Sequence, residues 1–188
     1  IERAVNTCKS VKNNKIILLE CTSLYPAPER LMNLKAISTL EKKFKTIVGF
    51  SDHSLGDHMA LASIGFAAKV IEKHFTLNKK MKGPDHAFAI EPKELKIMIE
   101  KIRMVEEGMG NGVKGIYSDE EKIMAKKARR SIHSSKDLKI GDIIKAEDLV
   151  FKRPGFGIEP YLWKKIIGKR VNIKIKKDYW IKWEMLKR

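Results

Sequence analysis

Along the first 110 positions the apolar residues follow two alternating rhythms. Three short β-branched runs, KIILLECTS (15–23), TIVGFSDH (46–53) and AKVIEKHFT (68–76), have the length and composition of buried strands. Between and around them the apolar spacing widens to three and four, which is the helical period. In IERAVNTCKSV (1–11) it places Ile1, Val5, Cys8 and Val11 on one face. A second helix is predicted from Pro28, a residue shaped for a first turn, with Leu31, Leu34, Ile37 and Leu40 along one side. HMALASI (58–64) is a third, with Asp57 as its N-cap and a left-handed stop near Gly65. A last helix, 91–110, turns Leu95, Met98, Ile102 and Val105 inward.

Strands alternating with helices predict a parallel sheet with helical cover, and such folds carry their sites at the C-terminal ends of the strands. Three strands cannot close a barrel alone, and an isolated three-stranded sheet would expose apolar edges. The texture changes at Gly108: GMGNGVKG is a flexible stretch, and Ser118 with Glu121 forms a capping box for a short helix. Beyond Ser131 the chain reads as short strands and turns of a compact all-β domain. Within it LKIGDIIKAEDL (138–149) and the stretch 175–186 repeat Lys, Ile, Lys, Glu and Leu at equal offsets, the mark of a duplicated β-hairpin unit.

The formal charge of +16 raises the question of nucleic acid. Its lysines are spread over helices and strands alike, without an RNP-like aromatic pattern or zinc-finger spacing, so they read as solvated surface rather than a nucleic-acid face. Cys8 and Cys21 lack CxxC spacing and read as buried reduced thiols. No apolar run reaches membrane-spanning length and there is no secretory apolar core, which places the chain in the cytoplasm and off the membrane. It opens at Ile1 inside a helical pattern, as the remainder of a longer chain would.

The chemistry gathers at the strand ends. His53 closes the second strand and His74 stands at nearly the same height on the third; adjacent parallel strands lie about 4.8 Å apart. Two imidazoles so placed are either members of a polar rim or joint ligands of one divalent ion with open positions for water and substrate. Glu72 faces the same way as His74 by strand alternation, and Ser51 lies two residues before His53. Asp85 sits in GPDHAF, where Gly83 and Pro84 pre-set a turn. Ser23 and Tyr25 follow the first strand, in CTSLYPAP. In the β domain, FKRPGFG projects Arg153 from a stiff loop.

CTSLYPAP, GFSDHSLG, VIEKHFTL, KGPDHAF, EPKEL and KRPGFG together, in this order, resemble the sialic acid synthase family: N-acetylneuraminate, legionaminate and pseudaminate synthases. The resemblance implies an α/β fold, the C-terminal part of a (β/α)8 TIM barrel followed by a small all-β SAF (β-clip, antifreeze-like) domain. On that pattern residues 1–117 are the last three βα units, 118–130 a linker helix and 131–188 the SAF domain. The implied reaction condenses phosphoenolpyruvate with an N-acetylmannosamine-like 2-acetamido sugar to a nine-carbon 2-keto acid, releasing phosphate. His53 and His74 would bind Mn2+ or Mg2+. Glu72 and Asp85 would move protons and, with Tyr25, contact the sugar and metal-bound water, while Ser51 and Ser23 would lie near the phosphate. Ser23 stands where some members carry Asn or Thr. Arg153 would reach the sugar's N-acetyl group in the other subunit of a domain-swapped homodimer. About half of the family's barrel, with its phosphoenolpyruvate-binding lysine and a catalytic Glu, has no counterpart in these residues, so little or no activity is expected of the chain alone. The competing reading is a non-catalytic carbohydrate- or partner-binding module acting through the SAF domain.

Overall fold

The structure, a computed structural model, describes residues 1–187. They form two units, Ile1–Val113 and Lys114 onward, each taken by itself. In the first, helix α1 (Glu2–Ser10) leads into strand β1 (Ile17–Cys21), and α2 (Lys35–Phe44), β2 (Ile47–Asp52), α3 (His58–Ile64), β3 (Val70–Lys73) and α4 (Pro92–Met109) follow. The strands are parallel, in the order β1-β2-β3, and in register: Leu19 pairs with Gly49 and Gly49 with Val70; Cys21 pairs with Ser51 and Ser51 with Glu72.

Alternation sorts the side chains. Val48 and Phe50 point to the face covered by α2 and join Met32, Ile37, Leu40 and Ala68 in one core; Ala60, Ile90, Met98 and Ile102 form a second beneath α3 and α4. Phe50 is fully buried, worth about 1.5–3 kcal/mol of transfer free energy. The opposite face carries Ile17 and Ile47, each about half exposed, then Leu19 and Gly49, and finally Cys21, Ser51 and Glu72 nearest the strand ends. Gly49 has no room for a side chain: a Cβ there would lie 2.3 Å from the Val70 carbonyl oxygen and 2.6 Å from Leu19 Cδ2.

Several local expectations need correction. The second helix does not start at Pro28. Glu29–Leu31 form a single 3₁₀ turn, Asn33 adopts φ 46°, and α2 begins only at Lys35. That break turns Leu31 outward, 48% exposed, and buries Met32 in its place. Asp57 precedes α3 but its side chain makes no cap; it pairs with Lys101 at 2.8 Å instead. Gly65 ends α3 with φ −64°, and the left-handed residue is Ala67, φ 77°. Of the face predicted for the first helix only Val5 is buried; Ile1 and Val11 are exposed, and neither cysteine read as buried is so, Cys8 being half-buried and Cys21 exposed at the open end of β1. The loop after β3 also returns a strand-like segment: Phe75 and Ile90 form a parallel bridge, with Ile90 N–H donating to His74 O (2.8 Å) and Thr76 N–H to Ile90 O (3.0 Å).

In the second unit, helix α5 (Asp119–Ala128) is capped by Ser118 and is followed by the antiparallel strands β4 (Ser131–Ser134) and β5 (Leu149–Lys152). The residues read as a linker helix thus group with the all-β part. The weak sequence repeat has a structural basis. Shifting several of its contacts by 37 positions yields a partner contact: the bridge His133–Trp180 becomes Ile143–Arg170. Ser134 N–H donates to Tyr179 O and Val171 N–H to Asp142 O; Leu138 and Ile175 exchange both bonds, at 2.8 and 2.9 Å. The 3₁₀ turns Ala146–Asp148 and Trp183–Met185 occupy the same offset. Contacts that exchange in this way define a local two-fold axis, with Ile132, Leu138, Ile144, Val171, Ile175 and Ile181 buried about it.

Candidate functional site

The ends of β2 and β3 bring His53 and His74 side by side, their ring centroids 5.2 Å apart and near-perpendicular. Register explains this: Asp52 pairs with Lys73, so the next residue on each strand returns to the open face together with its neighbour. Tyr25 lies over His53 at 4.2 Å and 5.5 Å from His74. Phe88 completes the cluster, 5.0 Å from His74 and 5.8 Å from Tyr25. Sequence reasoning missed Phe88; its signal was the apolar run AFAI before EPKEL, which supplies the segment paired to Phe75.

The hydrogen bonds define which lone pairs are free. His53 Nδ1 lies 2.8 Å from the Thr22 carbonyl oxygen, which can only accept, so Nδ1 carries the proton and Nε2 the lone pair. Ser51 Oγ sits 3.4 Å from that Nε2, but its own proton goes to Glu72 Oε1 at 2.6 Å. The Nε2 lone pair therefore has no donor from Ser51. His74 Nδ1 faces Asp85 Oδ2 at 3.5 Å, which likewise directs its Nε2 elsewhere. A histidine whose far nitrogen is held by a carbonyl or carboxylate is the arrangement that metal-binding imidazoles use. Two such rings fit one divalent ion. Among the described residues no third His, Cys, Asp or Glu completes a ligand set with them, so the remaining positions of such an ion would be left to water or substrate oxygens.

Ser51 and His53 are buried, whereas the Asp85 side chain is 55% exposed. Ser23 is exposed in the loop after β1. The structure thus gathers Tyr25, Ser51, His53, Glu72, His74 and Asp85 at one end of one sheet. Arg153 belongs to the second unit, exposed after β5, with a cis peptide to Pro154. Its loop is tied down behind it: Ser131 Oγ–H donates to Pro154 O (2.6 Å), His133 Nε2 lies 3.3 Å from the same oxygen, and Gly155 N–H donates to Lys126 O (2.7 Å). His133, His86 and His58 serve local structure. His133 Nδ1 faces Asp178 O, His86 meets Thr76 Oγ1 at 2.7 Å, and His58 pairs with Glu29 at 3.3 Å. No helix among the described residues is long and apolar enough to cross a membrane.

Comparison with known proteins places this geometry in a lineage. Residues 1–114 match the NeuB family and residues 113–187 the SAF domain. The chain is 43% identical over 180 residues to an N,N'-diacetyllegionaminic acid synthase of Campylobacter jejuni, covering 95% of this chain and 54% of that protein. It is 37% identical over 164 residues to a pseudaminic acid synthase of the same species, covering 87% and 47%. Among solved structures, the spore coat polysaccharide biosynthesis protein spsE of Bacillus subtilis superposes with a TM-score of 0.54 at 30% identity, over all of this chain and 57% of that one. The chain spans about half the length of the curated relatives it matches. With a family match over its first unit and the SAF domain behind it, the chain belongs to the NeuB family.

Proposed function

We propose that these residues are the C-terminal portion of a sugar-acid synthase that condenses phosphoenolpyruvate with a 2-acetamido sugar, and that the first unit is the C-terminal part of a (β/α)8 barrel. The observation that carries the reading is the His53–His74 pair at the ends of adjacent parallel strands, each ring oriented from behind and both within reach of Tyr25. The similarity to synthases of legionaminic and pseudaminic acid supports the sugar-acid class.

His53 and His74 would hold Mn2+ or Mg2+ through Nε2. A divalent ion there supplies Lewis-acid polarisation of the acceptor's carbonyl and stabilises developing negative charge. The remaining work falls to side chains. Glu72, already accepting from Ser51, keeps a second carboxylate oxygen to orient a sugar hydroxyl or take a proton from the water that adds before phosphate departs. Asp85, exposed beside His74, orients that ring and can exchange a proton with a bound hydroxyl. Tyr25 and Phe88 wall the imidazoles against bulk water. Ser51 and Ser23 would line the phosphate side. Arg153, on its anchored loop, would bind the acetamido group in the partner site of a domain-swapped homodimer.

The test is a chimera in which these 188 residues replace the matching half of the C. jejuni legionaminic acid synthase, assayed for phosphate release from phosphoenolpyruvate plus acceptor sugar. Metal-dependent turnover that disappears in His74→Ala is expected, with little or none from the 188-residue chain alone. A chimera that folds and binds both substrates but turns over equally with His74→Ala overturns the reading.

A further inference from the structure

On the helix-covered face, directly behind the two histidines, lies an ion pair for which the proposed chemistry has no use. Lys73 Nζ is 2.9 Å from Asp52 Oδ2, with the side chains 4% and 0% exposed. Asp52 Oδ1 also accepts from Ser54 N–H (2.9 Å) and Ser54 Oγ–H (2.6 Å), and Lys73 Nζ donates to the Ser54 carbonyl (2.8 Å). Each charged residue immediately precedes one of the histidines, and the two are register partners. His53 is therefore bracketed: the residue before it and the residue after it are both fastened to β3, at the position next to His74.

Removing two charges from water is costly, and apolar side chains of similar volume often hold a core as well or better. Such residues would not reproduce these four directed bonds, two of which run from Lys73 to Asp52 and Ser54 and so join the end of β2 to β3. We propose that Asp52 and Lys73 are positioning residues whose ion pair sets the spacing and orientation of the His53 and His74 rings, acting from the helix-covered face. The inference rests on the metal-binding role proposed for those rings, and residues that orient ligands from behind typically govern metal affinity by about 10–100-fold.

Four variants of the 188-residue chain separate positioning from packing. Lys73→Met strands a buried carboxylate and should lower the unfolding temperature. The double variant Asp52→Leu/Lys73→Met leaves no charge unpaired and should recover that temperature. The proposal expects this recovered protein still to bind Mn2+ at least about tenfold more weakly and to lose the NOE between the His53 and His74 rings, read by NMR without metal. Parental Mn2+ affinity and an intact ring-to-ring NOE in the stable double variant would overturn it. His74→Ala is the reference: if it leaves Mn2+ binding unchanged, the metal reading fails, and the NOE alone decides the positioning role. Should the double variant not fold, Asp52→Asn decides instead, since it keeps an acceptor for Ser54 but drops the charge. A displaced or weakened ring-to-ring NOE supports the proposal, and an unchanged one overturns it.

Discussion

Gly49→Ala is the most informative single change in the sheet. It adds one methyl group at the centre of β2, 2.3 Å from the Val70 carbonyl oxygen, 2.9 Å from Val70 Cβ and 2.6 Å from Leu19 Cδ2. The leucine methyl can rotate away; the carbonyl belongs to the β3 backbone and cannot. Ordinary carbon–oxygen contacts begin near ~3.3 Å, so β2 and β3 must separate by about 1 Å. A ladder hydrogen bond of about 2.9 Å does not survive that shift. Losing two of them costs about 1 kcal/mol each, and overpacking a buried position adds about 1–3 kcal/mol, for an expected loss of about 3–5 kcal/mol. Urea unfolding of the chain followed by circular dichroism reads this directly. Gly108→Ala is the matched control. It lies in α4 with nothing within 4 Å of a new Cβ, so the same methyl should stabilise by about 0.5–1 kcal/mol. A Gly49→Ala protein within 0.5 kcal/mol of the parent, on the order of an ordinary surface substitution, would refute the packing argument.

Other outcomes follow from the second unit. Burial alone would push the Asp148 carboxyl up, but the Lys136 ammonium (2.6 Å) and the Lys145 N–H (3.0 Å) hold it below the ordinary aspartate value of 3.8. A carboxyl lowered by folding stabilises fully above its unfolded value, and that contribution is lost as pH falls through the folded one. Acid titration of stability below pH 3.8 should therefore flatten in Asp148→Asn. Ser118 Oγ accepts from Glu121 N–H at 3.0 Å, so Ser118→Ala should cost about 1 kcal/mol and fray α5, seen as faster amide exchange there. Gly157→Ala would set a Cβ 2.6 Å from Ile181 O and 3.0 Å from Trp180 Cβ. It should shift the Arg153 loop, detected as broadened resonances at residues 153–157.

How far the letters revealed this molecule depends on which force decided each feature. The three strands were legible because short apolar runs of strand length alternate with segments of helical spacing, and the adjacency of His53 and His74 followed from alternation plus strand spacing. The start of α2 was not legible. Its apolar spacing runs smoothly through Asn33, and nothing in periodicity announces the left-handed residue that breaks the helix and exchanges Leu31 for Met32. The segment paired to Phe75 was too short to register as a strand, so Phe88 was missed with it. Asp52 and Lys73 were not singled out, because their side chains turn to the helix-covered face and their ion pair shows only in the structure. The repeat in the second unit kept few shared letters: a local two-fold needs matching backbone bonds and buried positions, and most surface residues are free to differ.

The pairing of the two imidazoles as a metal site is tested most directly by anomalous diffraction from crystals grown with Mn2+. The expected result is one strong peak at bonding distance from Nε2 of both His53 and His74, with Nδ1 of His53 still bound to the Thr22 carbonyl. A peak that touches neither ring, or one that survives unchanged in His53→Ala and His74→Ala, would contradict it.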